Sequence, residues 1–560
     1  MADSVIRCWA AKVMSETKMP RTYSEAMKHP KHADFNSAAQ SEYDLLTSKG
    51  TWKYVRRSEV PTGVKIHHGM WVFRQKCDKD GQPDRLKGRY VFIGSQQHRG
   101  ADYDDTFAPT GRPSTMRMCH AVASATNMVV KHADCEGAFL NAYVSDDDIS
   151  DRQIYMEQVE GFADADHPKS EWVCLMVKTL YGMKQSNRLW WKRLAKWMVN
   201  YGFKQSKYDP CFFFGNTKGK KWLKGVHYVP IIVDDISAYL ANSKTAAKNY
   251  DDFIKNLNKT YATVDKGPIE FYLQQYVAAD PVTHSYHISQ EAHLDKMLEK
   301  QGMADSHSAS LPFNTGHMHS ILKQGRAAPD DEAADPAINP STYRNMTGSL
   351  GYPAVMSRPD ISCTTSILQR YQSAPRRSHQ HAAKHAMRYL NGTRNLGIKY
   401  KGGPVQLKAA VDTSWADDVD EAESQYGWIV FLCGGIVSWK SGLMRCTATS
   451  STEAEYVGLA DLVCELLYLT SLLKEMGFPQ QPVPVDEDNQ GVLSVAMGEG
   501  KHSHQRHINI KYHLCRKFIN TLYTLNDVRG TLNVADILTK PLIAKERFKQ
   551  LVAMILDPVT

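Results

Sequence analysis

The feature that most restricts this chain is a pair of acidic points, each at the end of an apolar run. Asp134 follows Met128-Val129-Val130, and Asp234-Asp235 follows the strand-like segment from Val226 to Ile232. A charge at the end of a buried strand is costly unless a cation or water compensates it. Neighbouring side chains on a strand point to opposite faces, so Asp234 and Asp235 reach one cation together only where a tight turn redirects the backbone. We therefore expect Asp234 as ligand and Asp235 as its support. A lone aspartate or Asp-Asp pair more often marks a turn, so spacing alone leaves both readings open.

With 560 residues, 42% hydrophobic and 23% charged, the chain is too long for one core, and several domains are expected. The formal charge of +8 suits a phosphate-rich partner without requiring one. The 11 cysteines contain no Cys-x-x-Cys pair, which argues against a zinc ribbon and a secreted disulfide scaffold. No secretory signal is read at the start. The apolar stretch Tyr426 to Trp439 is too short to span a bilayer as a helix, and Gly434-Gly435 marks it as a hairpin.

Along the chain, Trp52 to Val91 alternates strand-like runs with turns, among them Asp80-Gly81. Helices are expected over Ser114–Asn127, with Pro113 at the start, and over Arg188–Tyr201. Residues 285–400 read as mainly helical, broken by a polar loop from Gly325 to Pro340. From Leu407 the order strand, hairpin, helix (Thr452–Met476), strand (Val483–Asp486), helix suggests a separate α/β domain beginning near 400–406. Carboxylates on neighbouring strands can hold two magnesium ions, which suits nucleotidyl transfer.

The surrounding residues resemble the copia-type reverse transcriptase. Five segments occur in the family's order: Trp71-Val72-Phe73-Arg74, Asp102 to Pro109, Ala133 to Asn141, Leu180-Tyr181-Gly182-Met183-Lys184-Gln185, and Ile232-Val233-Asp234-Asp235. The resemblance implies a catalytic set of Asp134, Asp234 and Asp235. It also implies that Phe139 lies beneath the incoming sugar and excludes a 2′-hydroxyl, that Gln185 touches the nucleotide, and that Lys87 and Arg89 approach the triphosphate. Read without it, Phe139 would be a core residue, Gln185 a helix start, and Lys87 and Arg89 a solvated strand face. The basic stretch His502 to Lys511 is either a phosphate contact or an exposed loop.

Toward the C-terminus, Asp412, Glu453, Asp488 and Asp536 fall in segments (VDTSWADD, SSTEAEY, EDNQ, NVADILTKPL) that resemble the copia-type RNase H. The resemblance implies that these four bind two magnesium ions and activate water to cut RNA in a hybrid. Glu455 lies two residues beyond Glu453 on another helix face, and the family motif favours Glu453.

The implied architecture is an α/β and α+β multidomain chain, a right-hand polymerase of fingers, palm and thumb followed by an RNase H-like α/β domain. The expected divisions are an N-terminal extension (1–45), fingers and palm (46–285), a mainly helical thumb or connection (286–402), the RNase H-like domain (403–545) and a C-terminal tail (546–560). The implied enzyme is an RNA-directed DNA polymerase and ribonuclease H from a larger retrotransposon polyprotein, with two Mg2+ ions per site. Its implied partners are an RNA template, a DNA or tRNA primer, RNA–DNA hybrid, dNTPs and other polyprotein products, with no membrane. Family habit places it in cytoplasmic virus-like particles or the nucleus. Departures from family phrasing at Ile232, Glu136-Gly137, Ala142, Gln274 and Asn509 keep two alternatives open: a catalytically silent nucleic-acid-binding remnant, or a nuclease beside a dead polymerase. If position 274 needs positive φ, Gln274 is strained there.

Overall fold

A computed structural model describes residues 19–77, 83–147, 152–162, 164–215, 219–324, 333–415, 423–497, 514–541 and 544–559. The Asp80-Gly81 pair, the stretch His502 to Lys511 and Asn509 lie outside the described residues, as do residues 325–332 of the polar loop.

In the fingers, β1 (Gly69–Cys77) and β2 (Pro83–Phe92) form an antiparallel hairpin with Trp71 opposite Tyr90 and Arg74 opposite Lys87. Trp71, Phe73, Tyr90 and Phe92 are buried beneath helix α1 (His32–Ser48), which contributes Phe35, Ala39 and Leu46 to the same core. Helix and strand approach so closely at Gly88 that a Cβ there would lie 3.0 Å from the Ala38 carbonyl oxygen. The division expected at residue 45 therefore falls inside α1, and the part of the expected extension that lies in α1, from His32 on, is a wall of the fingers.

The palm is a six-stranded sheet. Its order is Thr263–Pro268, β3 (Met128–Cys135), β5 (Asp235–Ala241), β4 (Val226–Ile232), Phe212–Phe214 and Lys204–Gln205. Alternation along β3 sends Met128 and Val130 to one core and Ala133 and Cys135 to another. The second face is covered by α3 (Ser186–Tyr201) and α4 (Lys244–Thr260), through residues such as Trp190, Leu194, Tyr250 and Phe253. The first face is covered by α2 (Pro113–Ala125), in which Ser114 through Ser124 are all buried. A helix buried all round needs packing on every side, and α2 finds it between the palm sheet and the C-terminal domain.

The connection is mainly helical, with Glu291–Lys300, Thr315–Gln324, Pro340–Met356, Ser362–Gln369 and Arg377–Gly392. A five-stranded sheet runs beside them, ending on Leu396–Tyr400 and Asp557–Pro558.

In the C-terminal domain the sheet order is β8 (Gly435–Leu443), β7 (Gln425–Leu432), β6 (Leu407–Ser414), β9 (Val483–Glu487), β10 (Tyr523–Asp527). The first three strands are antiparallel, and β6–β9 and β9–β10 are parallel. Helix α5 (Ser451–Glu475) packs on β6 and β7. It is long and apolar enough to cross a membrane by composition, yet Ala454, Tyr456, Leu459, Leu462, Leu466 and Leu469 are core residues. The β7–β8 turn consists of Cys433-Gly434, with φ of 51° and 78°, rather than Gly434-Gly435. Two positive φ values suit the twist of a two-residue hairpin. The expected tail is also corrected: α6 (Lys545–Ile555) buries Phe548, Leu551 and Ile555, and Asp557–Pro558 pairs with Leu396 and Gly397 of the connection.

Candidate active sites

Asp134 stands near the end of β3, directly opposite Asp235, the first residue of β5. Val233 and Asp234 form the two-residue turn joining β4 to β5. Val233 has φ +60°, costly for a β-branched residue. Two bonds hold the turn: the Trp190 indole N–H donates to the Val233 carbonyl at 2.7 Å, and the Cys135 N–H donates to the Asp234 carbonyl at 3.1 Å. The turn places Asp234 and Asp235 near enough to Asp134 for their charges to act on one another. Burial, then the neighbouring Asp235 charge, holds the carboxyls of Asp134 and Asp234 above the ordinary aspartate range. Asp235 pairs with His132 Nε2 at 2.9 Å.

Asp134 and Asp234 line a cleft of about 810 Å³ that also presents Lys87, Arg89, Tyr181 and Lys266. The Arg89 guanidinium lies over the Tyr181 ring at 4.6 Å, and half-buried Phe139 meets that ring edge-on at 5.4 Å. Gly137, with φ +59°, turns the chain out of β3 toward Phe139. Gln185 departs from expectation. It is fully buried, accepts from Gln97 Nε2 at 3.1 Å and donates to the Asp102 carbonyl at 3.1 Å. Its amide is consumed inside the protein, so it braces the start of α3 rather than facing a nucleotide.

In the C-terminal domain, carboxylate oxygens of Asp412 on β6, Glu455 on α5 and Asp488 just after β9 lie within 4.8 Å of one another. Burial raises the carboxyls of Asp412 and Asp488. For Asp412 the Lys540 ammonium opposes that rise. Glu455 is raised strongly by burial and by the charges of Glu487, Asp412 and Asp488.

Glu453, the expected member, is corrected. Its carboxylate accepts from the Thr449 N–H at 2.7 Å and the Thr449 hydroxyl at 2.8 Å, while its own N–H donates to Ser450 Oγ at 3.1 Å. It caps the first turn of α5, and the residue aimed at the sheet is Glu455. Asp536 is buried in the short turn Val534–Leu538, bonded to Lys540 and 3.6 Å from Arg547. Lys540 also reaches Asp412 at 3.2 Å, so Asp536 joins the group through a shared lysine.

Sequence reasoning missed Glu487. It is fully buried, accepts from the Asn489 N–H at 3.1 Å through Oε1, and leaves Oε2 without a partner. The signal was its position: Val483, Val485 and Glu487 share the buried face of β9, and an acid on a core face calls for explanation.

Residues 49–315 match the family model described as reverse transcriptase (RNA-dependent DNA polymerase). The chain is 30% identical over 547 residues to the retrovirus-related Pol polyprotein from transposon TNT 1-94 of Nicotiana tabacum, covering 97% of this chain and 39% of that one. It is 32% identical over 526 residues to the Pol polyprotein from transposon RE1 of Arabidopsis thaliana, covering 93% and 34%. Residues 49–315 thus carry a reverse transcriptase domain, and over most of its length the chain is similar to copia-type transposon Pol polyproteins. It spans between a third and two fifths of the length of those relatives. A foamy viral protease-reverse transcriptase structure, solved in complex with double-stranded DNA, aligns with it at a TM-score of 0.45 and 10% identity, covering 88% of this chain and 69% of that one.

Proposed function

We propose that this chain copies RNA into DNA at the palm and cuts the RNA strand of the resulting hybrid in the C-terminal domain, using divalent cations, Mg2+ by donor chemistry, at both sites. The observation that carries the reading is that Asp134 and Asp234 line one cleft together with cations, with Asp235 opposite Asp134 on the neighbouring strand. Carboxylate oxygens alone suit a hard ion such as Mg2+. Burial first, and neighbouring negative charge second, raise these carboxyls, and a bound cation would offset both.

In the palm, Asp134 and Asp234 would hold the ions, with Asp235 held by His132 as support. Bound divalent ions supply Lewis acidity and lower the pKa of an attacking hydroxyl or water. Lys87 and Arg89 grip the triphosphate through charge-assisted hydrogen bonds. Tyr181, which lines the cleft and is braced edge-on by Phe139, is the aromatic group assigned to the sugar of the incoming nucleotide. In the C-terminal domain Asp412, Glu455 and Asp488 would hold the ions, with Lys540 and Arg547 balancing Asp412 and Asp536. Selection of RNA there rests on 2′-hydroxyl contacts across the shallow minor groove of the hybrid.

The test is incorporation of dTTP onto oligo(dT) annealed to poly(rA), with Mg2+ present. The wild-type chain extends the primer and Asp134→Asn does not. A folded wild type that binds the template-primer without extending it would overturn the polymerase reading.

A further inference from the structure

Glu42, on the inner face of α1, is a carboxylate in the polymerase cleft that the chemistry above does not use. It is 5% exposed, and it lines the same cleft of about 810 Å³ as Lys87, Arg89, Asp134 and Asp234. It accepts a hydrogen bond from the Tyr90 backbone N–H, while its Oε1 is buried without a partner. The contact at Gly88 presses α1 against β2, the strand that carries Lys87 and Arg89 on either side of that glycine. Glu42 is thus carried by the helix that packs against the strand of the cationic wall, and it faces the same cleft.

Burial holds the Glu42 carboxyl above the ordinary glutamate range, opposed by the Tyr90 N–H and then by the charges of Arg89 and Lys87. The cations assigned to the triphosphate therefore also act on this carboxylate across the cleft they share. A phosphate chain entering the cleft meets a fixed negative group already occupying their field.

We propose that Glu42 is a positioning residue that sets the strength of triphosphate capture, holding the field of Lys87 and Arg89 before the nucleotide arrives and opposing the phosphates as they enter. The proposal rests on the polymerase reading. It assigns to α1 a part in nucleotide affinity that the strand residues alone do not provide.

The experiment compares the full chain with Glu42→Gln, which keeps an acceptor for the Tyr90 N–H and removes the charge, and with Glu42→Asp, which keeps the charge. In primer extension the KM for dTTP falls about fivefold in Glu42→Gln, the scale of one unit charge in a partly aqueous cleft, while kcat is unchanged and Glu42→Asp stays near wild type. Calorimetric binding of inorganic tripolyphosphate, which needs no turnover, tightens in Glu42→Gln by a similar factor. An unchanged or raised KM, or unchanged or weaker tripolyphosphate binding, overturns the proposal. Loss of the folded state in Glu42→Gln, read by thermal melting, also overturns it, because the residue would then be structural. Failure of the polymerase reading shows separately, as a wild type that extends no primer; the tripolyphosphate comparison still decides the role of Glu42.

Discussion

Asp134 and Asp235 face each other across the antiparallel β3–β5 pair, with Asp234 in the turn that leads into β5. Like charges directly opposite on a sheet repel, so this part of the palm is folded against its own electrostatics. The C-terminal domain repeats the device with different elements, a strand, a helix and a strand end bringing Asp412, Glu455 and Asp488 together.

Glu455 and Glu453 should separate cleanly by mutation. Glu455→Gln is expected to reduce hybrid cleavage by about a thousandfold, since a metal-holding group contributes several kcal/mol to the transition state. Glu453→Gln should retain most of the cleavage activity and lose about 0.5–1 kcal/mol of stability from a weakened helix cap. Cleavage of a labelled RNA–DNA hybrid together with urea unfolding measures both. Equal loss of cleavage in the two variants would reject the assignment of Glu455.

The acid clusters also make the metal-free protein sensitive to pH. Asp412, Glu455, Glu487 and Asp488 have folded-state pKa values raised above their ordinary values of 3.8–4.5. The folded state therefore binds protons more tightly than the unfolded state, and stability falls as pH climbs from that range toward the raised values. In EDTA the melting temperature should drop from pH 5 to pH 8. Mg2+ should restore it, and Glu455→Gln should flatten the slope by at least about 1 kcal/mol, the scale of one pKa unit. A melting temperature in EDTA that rises over this interval would contradict the account.

Arg117 ties the palm to the rest of the molecule. Buried on α2, it donates to the carbonyls of Val437 at 2.8 Å, Val355 at 3.0 Å and Met356 at 3.1 Å, and lies 4.0 Å from the centre of the Trp439 ring. Arg117→Met leaves those carbonyls without their donor and should cost about 3 kcal/mol. Urea unfolding should show the loss, and limited proteolysis should release the C-terminal domain faster.

Gln274 bears out the strain read from its sequence position. Leu273 and Gln274 form a two-residue turn with φ of 50° and 58°. Gln274→Gly should stabilise the chain by about 1 kcal/mol through relief of the left-handed conformation. The gain is reduced by the lost hydrogen bond to His293 Nδ1, 2.6 Å away. Chemical denaturation gives the sign directly.

What was legible in the sequence was whatever local chemistry dictates. The strand Val226–Ile232 was read to the residue because its apolar run stops at two aspartates, and α2, α3 and α5 were placed within two residues of their observed ends. What escaped depended on distant packing. Gln185 looked available until Gln97 and the Asp102 carbonyl consumed its amide. Helix α1 lies outside the five quoted segments, and its place on the fingers depends on Phe35, Ala39 and Leu46 meeting strands further along the chain. Glu453 was a different failure, because Ser450-x-x-Glu453 is itself a helix-start signature and could have reserved Glu455 for chemistry.

The most direct test of two independent carboxylate sites is to measure primer extension and hybrid cleavage on the same preparations of wild type, Asp134→Asn and Asp412→Asn. The account predicts that Asp134→Asn loses extension and keeps cleavage, while Asp412→Asn loses cleavage and keeps extension. Loss of both activities from either single substitution, in a protein that remains folded, would contradict it.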